Sequence, residues 1–200
     1  MTNETYRPYV QHQSGNKLWL DNLDDNKYNI NDIAHSLANQ CRYAGHCDIY
    51  YSVAQHSVLC SQMCYKEVAL EALMHDCGES VMPDIARPVK YFIPGIREFD
   101  DRISASMFKY FNLQWPLDTR VHEVDNRMLA TEARQFMSNS NIDEWDVIGK
   151  LEPYKITITS WRPEFAKQMF LDRYQYLLAR KAFAEEGLGD NMEDSVAIGF

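Results

Sequence analysis

No apolar run in the chain approaches the ~20 residues that a membrane span requires. Met1 to Gln13 is polar and holds no apolar signal core, so export is not expected either. Glycine and proline are scarce, at 8 and 7 of 200 residues, and the rest is an ordinary globular mixture, 46% hydrophobic and 24% charged. That length favours one cored domain over two. The five cysteines (Cys41, Cys47, Cys60, Cys64, Cys77) are odd in number and contain no C-x-x-C pair. Their spacing argues against a disulfide framework or a zinc knuckle, and the expected location is a reducing compartment, the cytoplasm. Basic charge is also short. With 20 Lys and Arg against 29 Asp and Glu, the net charge of −9 opposes binding to a nucleic-acid polymer. A small anion is still admissible, because a pocket's local charge can differ from the global balance. The sequences G-x-x-x-x-G-K-[ST], G-x-G-x-x-G and G-x-S-x-G are absent, which removes the common nucleotide loops and the hydrolase elbow.

What is present is mostly helical periodicity. Residues 1–28 are polar and aromatic without such a period, and read as a partly ordered extension in which Lys17-Leu18-Trp19-Leu20 can form a short strand. From Ile30 the apolar positions Ile33, Ala34, Leu37 and Cys41 recur at spacings of three and four, with Asn29 or Asn31 as cap. Further helices are predicted over Ser52–Tyr65, Glu67–His75 (stopping at Gly78), Ile96–Phe111 and Arg120–Phe136, with a long last one from Pro163. The stretch from Pro83 to Pro94 reads as an ordered loop or a short turn of helix. Alternation at Lys155-Ile156-Thr157-Ile158-Thr159 predicts a second strand, pairing with the one around Trp19. The fold class is all-α: a bundle of about six to eight helices over residues 29–184, with a minor β-hairpin. The tail 185–200 is expected to be loose or engaged in subunit contact.

The chemistry concentrates in His75-Asp76, with His56 upstream and Asp125 on a later helix. Two imidazoles and two carboxylates from separate helical segments can cage one divalent ion and leave it Lewis-acidic toward water and phosphate. Taken singly, each has an ordinary alternative. His56 fits a hydrogen-bonded core histidine, and Asp125 fits a carboxylate capped or paired with Arg127.

Jointly, the pattern resembles a known family. Ser52-Val53-Ala54-Gln55-His56-Ser57, then His75-Asp76-x-x-Glu79, then Asp84-Ile85-x-x-Pro88-x-Lys90 resemble the HD-superfamily phosphohydrolases. Among these they resemble in particular the bacterial deoxyribonucleoside 5′-monophosphatases and the phage-encoded dATP triphosphohydrolases. Asp32-Ile33-Ala34-His35-Ser36-Leu37, Arg42-Tyr43-x-Gly45-His46, Glu123-x-Asp125-x-Arg127-x-Leu129 and Trp161-x-Pro163 extend the likeness from about Leu18 to Arg173. The resemblance implies an HD-domain helical bundle. It implies one divalent transition metal (Co, Mn, Ni or Zn, with Mg also admissible) held by His56, His75, Asp76 and Asp125. Glu79 then matches the acid/base carboxylate and Arg42 the phosphate-contacting arginine, while Lys90 meets further phosphates and Asp84 the sugar hydroxyls. Their bland alternatives are a surface charge for Glu79, a solvated lysine for Lys90 and a turn former for Asp84. His46 fits a phosphate contact or a structural role equally, and Trp19 is a candidate for stacking on a base.

Met74 precedes His75-Asp76 where two-metal members of the superfamily carry a further histidine, so a single metal is expected and cyclic-dinucleotide cleavage is not. The activity implied is hydrolysis of a small (deoxy)nucleotide, as a dNTP triphosphohydrolase or a 5′-deoxynucleotidase. The alternative is a non-catalytic, nucleotide-binding regulator. Homo-oligomers are common among the look-alikes, and one is expected here. Cytoplasm means the host's cytoplasm if the chain is phage-encoded.

Overall fold

The computed structural model describes residues 7–146 and 148–186, and the expectation about the tail from residue 187 onward lies outside them. Among the described residues the chain is a helical bundle with one small hairpin, as its periodicity predicts. The helices are α1 (Ile30–Asn39), α2 (Val53–Met63), α3 (Ala69–Met74), α4 (Arg87–Tyr91), α5 (Ile96–Tyr110), α6 (Thr119–Phe136) and α7 (Pro163–Glu185). No helix among the described residues is long and apolar enough to cross a membrane.

Helix α2 forms the centre, packing against α1, α3, α6 and α7. Val53 through Ser61 are all buried, so no face of this helix meets water along that stretch. A helix enclosed on every side must find internal partners for each polar side chain it carries. Ser52 caps its first turn by accepting from Gln55 N–H. Ser57 donates to Val53 O, and Ser61 accepts from Arg173 of α7. Gln55 bonds Thr159 O and Trp161 N–H. The partner of His56 opens the functional site, described below. Around α2 lie Leu37, Leu73, Met107, Phe108 and Phe170, all fully buried. Each such side chain contributes about 1.5–3 kcal/mol relative to exposure.

The strand prediction needs correction. Strand β2 (Lys17–Trp19) pairs antiparallel with β1 (Tyr9–Gln11) and not with Lys155–Thr159. The later segment is extended but belongs to no sheet. Glutamine amides stand where a neighbouring strand would: Gln135 accepts from Ile158 N–H and donates to Ile156 O, and Gln55 donates to Thr159 O. Period-two burial therefore exists there without a ladder. The hairpin segment is not detached from the bundle, since Leu18, Leu23 and Tyr28 belong to the same buried core as α1 and α7. Asn29 caps α1 by accepting from Asn31 N–H, as its position implies.

Gly78 does not simply end α3; it lies in the 3-10 turn Cys77–Ser80 against α5. A Cβ at this position would stand 2.6 Å from Ser104 Oγ and 3.5 Å from Asp100 Oδ1. The turn therefore approaches α5 this closely because position 78 carries no side chain. Gly78→Ala is expected to destabilise the protein by about 1–3 kcal/mol, the usual range for overpacking. Urea unfolding measures it; a change below about 0.5 kcal/mol would show that Ser104 yields without strain.

Candidate metal centre and its cleft

The four residues singled out by spacing converge. His56 Nε2 lies 3.3 Å from His75 Nε2, 3.6 Å from Asp76 Oδ2 and 3.3 Å from Asp125 Oδ1. His75 Nε2 lies 3.3 Å from Asp76 Oδ2 and 3.8 Å from Asp125 Oδ1. Helix α2 supplies His56, the turn after α3 supplies His75 and Asp76, and α6 supplies Asp125.

The other ring nitrogens fix what these atoms can do. His56 Nδ1 is 2.7 Å from Glu132 Oε1, and His75 Nδ1 is 2.7 Å from Ala72 O. A carboxylate and a carbonyl only accept, so each Nδ1 carries the proton and each neutral ring turns its Nε2 lone pair to the centre. Two lone pairs 3.3 Å apart, flanked by two carboxylate oxygens, need positive charge between them. In the cation-free protein protons meet that need. Burial and the Arg42 guanidinium oppose charging His56, but Cys60, Glu132 and Asp125 outweigh them and hold its pKa well above the ordinary value. Burial likewise opposes charging His75, and Asp76 and Asp125 outweigh it. Asp125 answers in the opposite direction: burial would raise its pKa, yet His56 and His75 hold it well below the usual carboxylate range.

Glu132, which the sequence did not single out, braces this centre from behind. Fully buried, it accepts from Tyr51 Oη at 2.7 Å, and its Oε2 lies 3.2 Å from Arg42 Nε. Its spacing from Asp125, two helical turns on one face, was the available signal. Carboxylates behind metal-binding histidines fix ring orientation and tautomer in this manner. Asp76 and Glu132 thus face one buried guanidinium, Arg42, while Asp125 faces the two imidazoles on one oxygen and the part-exposed Arg87 on the other, so three carboxylates meet a single buried guanidinium.

A second donor set overlaps this one. His56, Cys60 and His75 bring ligand atoms within 4.8 Å of one another and can hold a metal ion. The Cys60 sulfur, however, sits 3.5 Å from Nε2 and 3.8 Å from Nδ1 of His56. Near-equal distances to both nitrogens put it off the Nε2 lone-pair direction. Burial also pushes the thiol pKa up to about 12. Asp76 and Asp125 approach both Nε2 atoms with charged oxygens, which makes the carboxylates the better partners for the two imidazoles.

A cleft of about 190 Å³ adjoins the centre. Its lining includes His75, Asp76, Asp125, Glu79, Lys90 and Asp100, together with Trp115, Leu117 and His122. Glu79 Oε2 is buried without a hydrogen-bond partner. Burial, with Asp76 and Asp84 nearby, raises its pKa well above the carboxylate norm. Lys90 Nζ is held by Asp100 at 2.6 Å.

Other predicted site residues stand elsewhere. Arg42 is buried behind the centre, with Nη1 3.5 Å from Asp76 Oδ2 and Nε on Glu132, and does not line the cleft. It leads into a tight turn where Tyr43, Ala44 and Gly45 all have positive φ (57°, 51° and 79°). Asp84 is tied through its N–H to Gln40, whose amide also bonds Glu79 O. His46 is exposed and away from the cleft. Trp19 is outside it as well, its ring covered by Arg7 at 4.5 Å and by Tyr9 at 5.1 Å. The aromatic in the cleft wall is Trp115, which the sequence did not single out.

Fold and site together define a helical protein with a buried histidine-centred cluster that could hold a metal ion, beside a cleft. No family model matches the chain. It is 36% identical over 173 residues to the uncharacterized protein YfdR of Escherichia coli K12, covering 84% of this chain and 95% of that protein. It is also 30% identical over 189 residues to the uncharacterized protein RCAP_rcc00048 of Rhodobacter capsulatus, covering 86% and 96%. The chain belongs to the family of these proteins.

Glu132→Ala is expected to cost about 3–5 kcal/mol in the cation-free protein, because it strands a buried guanidinium and a buried imidazole. Denaturant unfolding in the presence of a chelator measures this; a loss under about 1 kcal/mol would remove Glu132 as the brace.

Proposed function

We propose that the chain is a metal-dependent phosphohydrolase of the HD superfamily that acts on a small phosphomonoester of the (deoxy)nucleoside 5′-monophosphate class. The single observation that carries this is the convergence of His56, His75, Asp76 and Asp125 beside a cleft that holds Glu79, one of whose buried carboxyl oxygens has no hydrogen-bond partner. The two Nε2 atoms and the two aspartates would hold one divalent ion of the Mn, Co, Ni or Zn type, with Mg also admissible. When bound, such an ion supplies Lewis acidity, making water nucleophilic at neutral pH and drawing charge from a phosphoryl group.

The chain's own groups supply the rest. Glu79 takes the proton of the attacking water and returns it to the leaving oxygen, a role that suits a carboxyl whose pKa is lifted toward neutrality. Lys90, loosened from Asp100, offsets phosphoryl charge. Trp115 and Leu117 give the organic part of the substrate an apolar wall, the part assigned from sequence to Trp19.

A monophosphate suits the cleft better than a triphosphate. Five carboxylates (Asp76, Glu79, Asp100, Asp101, Asp125) line it against one lysine, and a chain of three phosphates would meet repulsion there. Its volume, about 190 Å³, also falls below the ~300–1,000 Å³ typical of pockets that enclose larger ligands.

Phosphate and triphosphate release from dNMP and dNTP panels, across Mn, Co, Ni, Zn and Mg, tests the activity. Phosphate from monophosphates is the expected product, and tight nucleotide binding without turnover under every metal would point instead to a regulator. Asp76→Ala should abolish metal binding by elemental analysis, and full occupancy in that variant refutes the ligand set. Glu79→Gln should keep the metal and lose kcat by ~10²–10⁴-fold; an unchanged kcat removes Glu79 from the reaction.

A further inference from the structure

Arg87 opens the short helix α4, none of whose residues is buried. Its guanidinium bonds two neighbours on α6: Nη2 donates to Asp125 Oδ2 at 3.2 Å, and Nη1 donates to Asn126 Oδ1 at 2.9 Å. The other Asp125 oxygen points into the centre, 3.3 Å from His56 Nε2. Arg87 is therefore one carboxylate removed from the four converging ligands. Its side chain is 54% exposed, which sets it apart from the other cations nearby. Arg42 is buried against Glu132 and Asp76, and Lys90 is held by Asp100 with both side chains less than a quarter exposed. Arg87 both touches a centre carboxylate and reaches solvent.

We propose that Arg87 binds an anionic group of the phosphate type at the mouth of the centre, and that a cation in the centre releases it to do so. One carboxylate serves two positive partners. Asp125 turns Oδ1 to the two imidazoles and Oδ2 to Arg87. A divalent ion drawing on Oδ1 depletes negative charge over the whole carboxylate and weakens the pair at Oδ2. An ion pair open to water is weak to begin with, and a planar guanidinium suits two phosphate oxygens as well as it suits a carboxylate. The Asn126 amide, a neutral partner, stays with Arg87 and keeps it at the mouth. The cleft itself offers Lys90 against five carboxylates, so a bound anion needs a second cation, and Arg87, outside the cleft lining but bonded to the lining residue Asp125, supplies it. Cation and anion binding then reinforce each other through Asp125, as linkage requires. This inference rests on the cation centre proposed above and not on the hydrolytic step.

The test is calorimetric titration of inorganic phosphate into protein loaded with one equivalent of Mn²⁺ and into cation-free protein, with Mn²⁺ affinity measured separately. The wild type, Arg87→Ala and Arg87→Lys are compared. Loading should tighten phosphate binding by the wild type. Arg87→Ala should weaken phosphate binding to the loaded protein by about ten- to hundredfold while Mn²⁺ affinity stays within about threefold, and Arg87→Lys should fall between. Phosphate affinity within about twofold in Arg87→Ala would overturn the proposal. So would a parallel loss of Mn²⁺ affinity, which would make Arg87 a positioning residue for Asp125, or an absence of phosphate binding by the wild type. Phosphate binding through Arg87 in a protein that hydrolyses no nucleotide would sink the hydrolase reading and leave this one standing. Nucleotide turnover with unchanged phosphate affinity in Arg87→Ala would do the reverse.

Discussion

A buried shortage of positive charge organises this protein. Three carboxylates and two lone-pair nitrogens share a small, largely dry volume with one guanidinium, and isolated ions in such a place would be prohibitive. The surroundings follow from that demand. Tyr51 and Arg42 hold Glu132, Glu132 holds the His56 ring, and the Ala72 carbonyl holds the His75 ring. The crowding shows in the displaced pKa values, raised for both histidines and lowered for Asp125.

The bundle makes this possible by burying α2 on all sides. An enclosed helix fixes its side chains in one arrangement, so His56 is aimed with little freedom, while its ligand partners come from elements that each present one face to water. The centre therefore has a rigid inner wall formed by α2 and α6 and an accessible outer wall formed by α4, α5 and the turn after α3. That asymmetry suits a site that must hold an ion firmly and admit a ligand from one direction.

Much of this was readable from residue spacing. The caps at Asn29 and Ser52, the period of α1, α5 and α6, and Pro163 at the start of α7 are local properties, and local rules find them. The four converging ligands were legible as a set because three belong to a compact pattern and the fourth lies on a buried stripe. What escaped was tertiary. Glu132 looks like any helical glutamate until α6 is laid against α2. Trp19 and Trp115 are equally aromatic, and only the packing of the segment before α6 decides which faces the cleft. Arg87 fell between the residues of the matched pattern. Alternation at Lys155–Thr159 suggested a strand because sequence period reports burial on one side, not the identity of the neighbour.

That last segment bears on association between chains. A run rich in β-branched residues with unmatched backbone groups is a ready template for another copy of itself. Here the amides of Gln135 and Gln55 occupy its hydrogen-bonding groups from within the bundle. Two neutral side chains thereby act as an internal surrogate for a sheet neighbour, and they withhold from recruitment by other molecules a stretch whose composition favours fibrous stacking.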